Sequence, residues 1–211
     1  MPIITSHSYT LSGENGVELQ PLCDEHLPLL YRWNSDTEVL YWSEGDDVVE
    51  PYDRETVEQI FGSVSKTAYC FLVTKDGVPV GECWVQKMNI PPIVEQYPAG
   101  THVARIDYCI GEKAYWGQGI GTECVRLLLD FSFGEAGYDV VYALVYDYNE
   151  RSIRLIEHAG FELERKMPVP NSGKAKYELN YKIDKATYLQ YISASTSHDG
   201  CKYRVSHETS T

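Results

Sequence analysis

The stretch Tyr115-Trp116-Gly117-Gln118-Gly119-Ile120-Gly121-Thr122 carries three glycines at alternate positions and follows the apolar run Ile106-Asp107-Tyr108-Cys109-Ile110. After it, Ile120, Cys124, Leu127, Leu128 and Phe131 recur at spacings of three and four. That order predicts a strand, a tight turn and an amphipathic helix. Glycine tolerates positive φ and lets a ligand approach the main chain, so several amide N–H groups can converge on one anion. The first helical turn adds unpaired N–H donors and the positive end of the helix dipole. The stretch is a candidate pyrophosphate seat; a plain strand-to-helix joint is the equally open alternative.

Two common nucleotide loops do not fit. The spacing Gly117-Gln118-Gly119-Ile120-Gly121 departs from the dinucleotide fingerprint G-x-G-x-x-G, and no Gly-Lys-Ser/Thr follows to make a Walker loop. One apolar run later, at residues 140–145, comes a second pattern, Asn149-x-x-Ser152-Ile153-Arg154-Leu155-Ile156-x-x-x-Gly160-Phe161. Asn149 caps a helix carrying Ile153, Ile156 and Ala159, and Gly160 ends it. Strands at 161–167 and 176–183 pair across Pro170-Asn171-Ser172-Gly173.

Upstream, residues 17–22 read as a first strand. Asp24 reads as an N-cap, with Pro28 tolerated near the first turn and Leu27, Leu29, Leu30 and Trp33 forming the apolar face. A polar, acidic loop follows at residues 42–47, and Asp53 caps a helix through Val57, Ile60 and Phe61. Strands at 69–73 and 78–85 flank Lys75-Asp76-Gly77, and Asp-Gly is a strong hairpin signal. The chain thus alternates strands and helices, which predicts an α/β (α+β) domain, a mixed sheet with helices on both faces. The expected organisation is an N-terminal arm at 1–14, one domain at 15–183, and a C-terminal extension or tail at 184–211, with a short helix at 186–192.

The 211 residues are 43% hydrophobic and 12% aromatic, enough for a sizeable core. Lys and Arg number 18 against 31 Asp and Glu, a formal net charge of −13. Such a chain repels nucleic acid and anionic membranes and attracts cationic small molecules, although charge also serves solubility alone. The first residues carry neither a basic region nor a long apolar stretch, so a cytoplasmic protein is expected. Six cysteines show no C-x-x-C, and five lie in apolar patterns, as small buried hydrophobes do. The six histidines lack metal-ligand spacing, so no metal site is expected.

Trp116-Gly117-Gln118-Gly119-Ile120-Gly121, together with the Asn149 to Phe161 block, resembles the GNAT superfamily of acetyl-CoA-dependent N-acetyltransferases. Trp116 stands where that family usually has Gln or Arg. The Ile106-Asp107 strand, the Tyr115-Trp116 entry and the Leu30-x-x-Trp33 helix before an acidic-aromatic loop are similar to the aminoglycoside 6′-N-acetyltransferases. The resemblance covers residues 15–183 and implies a largely antiparallel sheet with splayed central strands.

It also implies roles. Acetyl-CoA, as co-substrate, would lay its pyrophosphate on the amides of Gln118, Gly119, Ile120, Gly121 and Thr122, beside Trp116, Gly117 and Asn149. Its pantetheine would run along Cys109 and Ile110. Transfer to an amine then needs a base, an oxyanion donor and a fate for the leaving thiolate. Asp107 is the candidate base, because it interrupts an apolar strand and a buried carboxylate needs a partner, which an ammonium would supply. The alternative for Asp107 is the solvated face of the strand. A backbone N–H near Ile110 could serve the oxyanion. Many relatives carry a Tyr that could protonate the thiolate, and the matching residue here is Ile156.

A cationic acceptor calls for carboxylates and aromatic rings. Trp42, Glu44 and Asp46 supply both in one loop, and Trp33, Glu82 and Asp147 are further candidates. For Trp33 the competing reading is a core residue. Glu82 stands out because strand interiors disfavour Glu. The expected activity is acetyl transfer to a primary amine of a cationic small molecule, an aminoglycoside 6′-amine above all, by a monomer or homodimer. A GNAT enzyme acting on a polyamine, a protein N-terminus or another amine is one alternative, and a non-catalytic acetyl-CoA-binding module is another.

Overall fold

The computed structural model describes residues 2–43, 50–170, 172–195 and 204–207. In chain order the elements are β1 (Tyr9–Ser12), β2 (Val17–Pro21), α1 (Leu27–Asn34), α2 (Thr37–Ser43), α3 (Arg54–Val64), β3 (Ala68–Lys75), β4 (Val78–Lys87) and α4 (Pro91–Val94). Then follow β5 (Val103–Cys109), α5 (Ile120–Phe133), β6 (Val140–Tyr146), α6 (Glu150–His158), β7 (Glu162–Pro168), β8 (Tyr177–Asp184), α7 (Lys185–Ser195) and β9 (Arg204–His207). Among the described residues the strands form a nine-stranded sheet in the order β7-β8-β6-β5-β4-β3-β2-β1-β9. Each neighbouring pair is antiparallel except β5 and β6, which are parallel and joined through α5.

That exception opens the sheet. The β5–β6 ladder runs from Val103↔Val140 to Ile106↔Ala143 and stops there. Asp107, Tyr108 and Cys109 stay paired with β4, while β6 stays paired with β8 as far as Tyr146↔Glu178. The C-terminal ends of the two central strands therefore part, leaving a gap where backbone groups face no neighbour strand.

Both faces of the sheet are covered. On one, α5 buries Ile120, Cys124, Leu127, Leu128 and Phe131 against Leu19, Phe71, Val85, Ile106 and Val141. On the other, Leu30 and Trp33 of α1 and Val57 and Phe61 of α3 pack on Ala68, Cys70 and Leu72 of β3. The hairpin signal at Asp76-Gly77 is met by a turn with φ of 50° and 78°, the primed geometry that matches strand twist. Asp53 caps α3 through the Thr56 amide at 2.8 Å, and Asn149 caps α6 through the Ser152 amide at 3.1 Å.

Two local expectations change. Asp24 is not the cap of α1: it opens a short 3-10 turn, its carboxylate accepts the Ile3 amide at 2.5 Å, and the α-helix starts at Leu27 with Pro28 in its first turn. Within the C-terminal stretch the described residues form α7 and β9: Tyr188 of α7 is buried and donates to Asp130 at 2.7 Å, and β9 adds to the edge strand β1. The predicted 1–14 arm likewise contributes β1. No helix among the described residues is long and apolar enough to cross a membrane.

Candidate active site

The glycine-rich stretch is built as its composition demands. Gly117 and Gly119 have φ of 75° and 79°, a region that any side chain makes strained. Gly121 has a different reason: a Cβ there would lie 2.9 Å from Leu155 Cδ1, so its smallness lets α5 and α6 approach. Gly119 is the N-cap of α5, and the helical bonds begin with the Glu123 amide donating to the Gly119 carbonyl. The amides of Ile120, Gly121 and Thr122 precede that first bond and belong to the turn whose donors a helix leaves for a ligand. Trp116 closes the entry by donating its indole N–H to the Ile110 carbonyl at 2.6 Å.

These amides form one wall of a cleft of about 740 Å³. Cys109, Ile110, Trp116, Gly117, Gly119, Ile120, Gly121, Thr122 and Asn149 all line it, and Gln118 does not; its side-chain Nε2 instead donates to the Ala114 carbonyl at 2.8 Å. The opposite wall comes from α2 and α6: Trp42 and Ser43, then Arg151, Ser152, Arg154, Leu155 and His158. Arg151 lies over both the Trp42 ring (4.7 Å) and the Trp116 ring (5.3 Å). A protein of net charge −13 thus presents two arginines to this cleft, the local arrangement an anionic ligand requires. Arg151, Arg154 and His158 were not singled out from the sequence, although all lie within the second motif block and its helix. Tyr108 also lines the cleft, sharing a hydrogen bond with Ser152 at 2.8 Å, and burial pushes its phenol well above the ordinary tyrosine range. Ile156, at the family's Tyr position, is fully buried in the main core.

The expected acceptor residues divide. Trp33 is a correction: it is 2% exposed, packs its ring against Gly111, and donates its indole N–H to Glu112 at 2.7 Å. Helical spacing put it on the core face of α1, where it fixes the segment leading into the glycine stretch. Asp147 accepts the Lys176 amide at 3.0 Å and does not line the cleft, so it pins the β6–β8 ends together. Glu44 and Asp46, with Asp47, lie outside the described residues. Trp42 lies in the last turn of α2 at the cleft, its carbonyl accepting from Asn149 at 2.7 Å.

Asp107 and Glu82 lie on the sheet face opposite α5. Residues directly paired in a ladder share a face, so Glu82↔Cys109, Trp84↔Asp107 and Gln86↔Arg105 on β4–β5 put Glu82, Trp84, Gln86, Arg105 and Asp107 together. Arg105↔Tyr142, Leu144↔Asn180 and Tyr146↔Glu178 carry that face across the gap to Asn180 and Glu178. Asp107 does not carry an unpaired charge. Arg105 donates to both its oxygens, at 2.8 and 3.0 Å. Glu178 takes no hydrogen bond or ion pair among the described residues; burial raises its carboxyl above the usual glutamate range, Arg105 opposes that, and Asp107 adds to it. The indole N–H of Trp84 and the Oδ1 of Asn180 are buried without partners among the described residues on this same face, the signature of a surface that expects a polar ligand or water. Glu178 and Asn180 escaped the sequence reading, although the alternation Tyr177-Glu178-Leu179-Asn180-Tyr181 carries the same signal that flagged Glu82.

Beside this face an aromatic box already holds a cation. The Lys174 ammonium, from the β7–β8 connection, sits over the Tyr41 ring (2.6 Å) and the Tyr148 ring (3.5 Å), with Trp42 at 5.6 Å. Among the described residues no group of three His, Cys, Asp or Glu could hold a metal ion.

A family model described as "Acetyltransferase (GNAT) domain" matches residues 17–162. The chain is 25% identical over 178 residues to the aminoglycoside N(6′)-acetyltransferase type 1 of Klebsiella pneumoniae, covering 82% of this chain and 87% of the relative. Among solved structures, aminoglycoside acetyltransferase AAC(6′)-Ib in complex with coenzyme A aligns with a TM-score of 0.70 at 20% identity, over 83% of this chain and 99% of that one. RimJ of Mycobacterium smegmatis in complex with CoA-disulfide aligns with a TM-score of 0.69 at 18% identity, over 92% and 97%.

Proposed function

Since this chain belongs to the GNAT acetyltransferase family, with acetyl-CoA as its co-substrate, we propose that it acetylates a primary amine of a cationic small molecule, an aminoglycoside 6′-amine being the best fit. The observation that carries the acceptor side is the parting of β5 and β6: the coenzyme cleft takes in Tyr108, Cys109 and Ile110 at the open end of β5, and the carboxylates of Glu82, Asp107 and Glu178 share the sheet face opposite α5. That arrangement supports direct transfer in a ternary complex, in which an amine held on the carboxylate face reaches the gap without a covalent enzyme intermediate.

The glycine-stretch amides, Arg151 and Arg154 suit the pyrophosphate and phosphate of the co-substrate, which brings an activated thioester to the gap. The chain's own groups orient the amine, exclude water and take a proton. A backbone N–H at the end of β5, near Ile110, serves as the oxyanion donor in this reading. Deprotonation of the ammonium falls to the Asp107–Arg105–Glu178 set, of which Asp107 is the member the family resemblance points to. Asp107 and Glu178 stand against one guanidinium and Glu82 shares their face, which supports a cationic group at this spot. Lys174 in its aromatic box supports a second cation subsite there.

The test is thiol release from acetyl-CoA with a panel of aminoglycosides, polyamines and N-terminal peptides. Saturable turnover with the aminoglycosides is the expected result. Turnover confined to polyamines or peptides would replace the acceptor while leaving the reaction, and acetyl-CoA binding without turnover of any amine would refute an enzyme.

A further inference from the structure

Resting on the amine-acetylation reading above, we propose that Glu178 is the group that takes the proton from the acceptor ammonium, and that Asp107 is a positioning residue that keeps Arg105 away from it. The two carboxylates stand on the same sheet face on either side of the β5–β6 gap, one on β5 and one on β8. Their circumstances differ. Asp107 spends both oxygens on the Arg105 guanidinium, and a carboxylate clamped in a bidentate arginine pair has little left to offer an incoming ammonium. Among the described residues Glu178 has no such partner, and Arg105 reaches it through space without a hydrogen bond. The neighbours that bear on it are Arg105 and Asp107 from β5, Tyr146 from β6, Met167 from β7, and Asn180 and Lys176 on its own strand and approach. Burial raises its carboxyl above the usual glutamate range, the direction of tuning that general-base chemistry uses.

The proton balance is simple. An N–H proton of the bound ammonium passes to a Glu178 oxygen, and the freed nitrogen lone pair forms the N–C bond to the acetyl carbon as the C–S bond breaks. The second N–H proton ends on the departing sulfur, giving the neutral thiol and amide, and Glu178 returns its proton to solvent. Arg105 is the hazard in this arrangement. It already acts on Glu178 across the gap, and releasing it from Asp107 would let it pair with Glu178 and quench the base.

The experiment is kinetics against pH for the full chain, with acetyl-CoA affinity measured for each variant. Glu178→Gln lowers kcat ~100-fold, leaves acetyl-CoA affinity within about twofold, and abolishes the acid limb of kcat/KM. Glu178→Asp keeps the limb at reduced kcat. Asp107→Asn also lowers kcat, and adding Arg105→Met to it restores kcat at least ~10-fold, since the freed guanidinium is then gone. A Glu178→Gln enzyme with wild-type kcat and an intact acid limb would overturn the proposal. So would a double variant as inactive as Asp107→Asn alone, the result expected if Asp107 itself takes the proton. A wild-type chain that releases no thiol with any amine overturns the underlying reading, and this inference with it.

Discussion

Gly119→Ala separates the two things the glycine stretch does. Gly119 has φ of 79° and is the N-cap of α5, and a Cβ there meets nothing within 4 Å. The effect of the substitution is therefore one of backbone conformation, about 1–2 kcal/mol for an L residue held in the left-handed region. That energy has two places to appear. If the turn keeps its shape, the cost falls on folding stability and acetyl-CoA affinity is unchanged. If the turn relaxes in the free protein, stability is spared and binding must restore the strained shape, weakening affinity by about 5- to 30-fold. The first outcome is expected to dominate, because the ten buried residues of α5 and the Glu123-to-Gly119 bond hold the cap in place. Chemical denaturation and calorimetric titration with acetyl-CoA together measure both terms, and their sum should come to about 1–2 kcal/mol. A variant with stability and affinity both unchanged would refute the reasoning. A sum far above that range would show a steric clash that the open space around Gly119 excludes.

Arg151→Ala removes a guanidinium that faces two indole rings and the coenzyme cleft; acetyl-CoA affinity should fall about fivefold or more, with kcat at saturating co-substrate little changed, as steady-state kinetics would show. Lys174→Met empties the aromatic box of its resident cation, so KM for a polycationic amine should fall by up to about tenfold while KM for acetyl-CoA stays put; a rise in amine KM would show that Lys174 supports the acceptor site instead. His7 sits among Tyr9, Tyr69 and Phe71, its Nε2 bonding the Cys70 carbonyl while Nδ1 accepts the Tyr9 amide, an arrangement the neutral ring satisfies. Burial lowers its pKa below the ordinary 6.5, so the folded protein binds this proton less readily than the unfolded chain. The stability it contributes is complete above about pH 6.5 and is lost as pH falls through the folded value; denaturation midpoints of wild type and His7→Gln should converge as the solution is acidified.

Much of this was written locally in the chain. Asp-Gly set the β3–β4 turn, Asn149 and Gly160 bounded α6, and the alternate glycines announced the positive φ of Gly117 and Gly119 and the cleft they line. What escaped was of two kinds. Some signals were present and unread: Asn15-Gly16, with φ of 53° and 70°, is as good a hairpin mark as Asp76-Gly77 and would have revealed β1. Residues 105 and 107 share a strand face, so the Arg105 clamp on Asp107 follows from period-two spacing alone. Other features depend on partners distant in sequence. The pairing of β9 with β1 spans nearly the whole chain, and the burial of Tyr188 against Asp130 gives α7 its place. Glu178 acquires meaning only when the β6–β8 register brings it to the gap, because its role is set by Arg105 and Asp107 from another strand. Trp33 was misassigned for the converse reason, since a helix-spaced indole reads alike whether it faces a ligand or, as here, Gly111.

The most direct measurement is mass spectrometry of an aminoglycoside such as kanamycin after incubation with the protein and acetyl-CoA, with the position of any modification read by NMR. The account predicts a single acetyl group on a primary amine, formed in step with thiol release. An unmodified aminoglycoside, recovered under conditions where acetyl-CoA is bound, would contradict it.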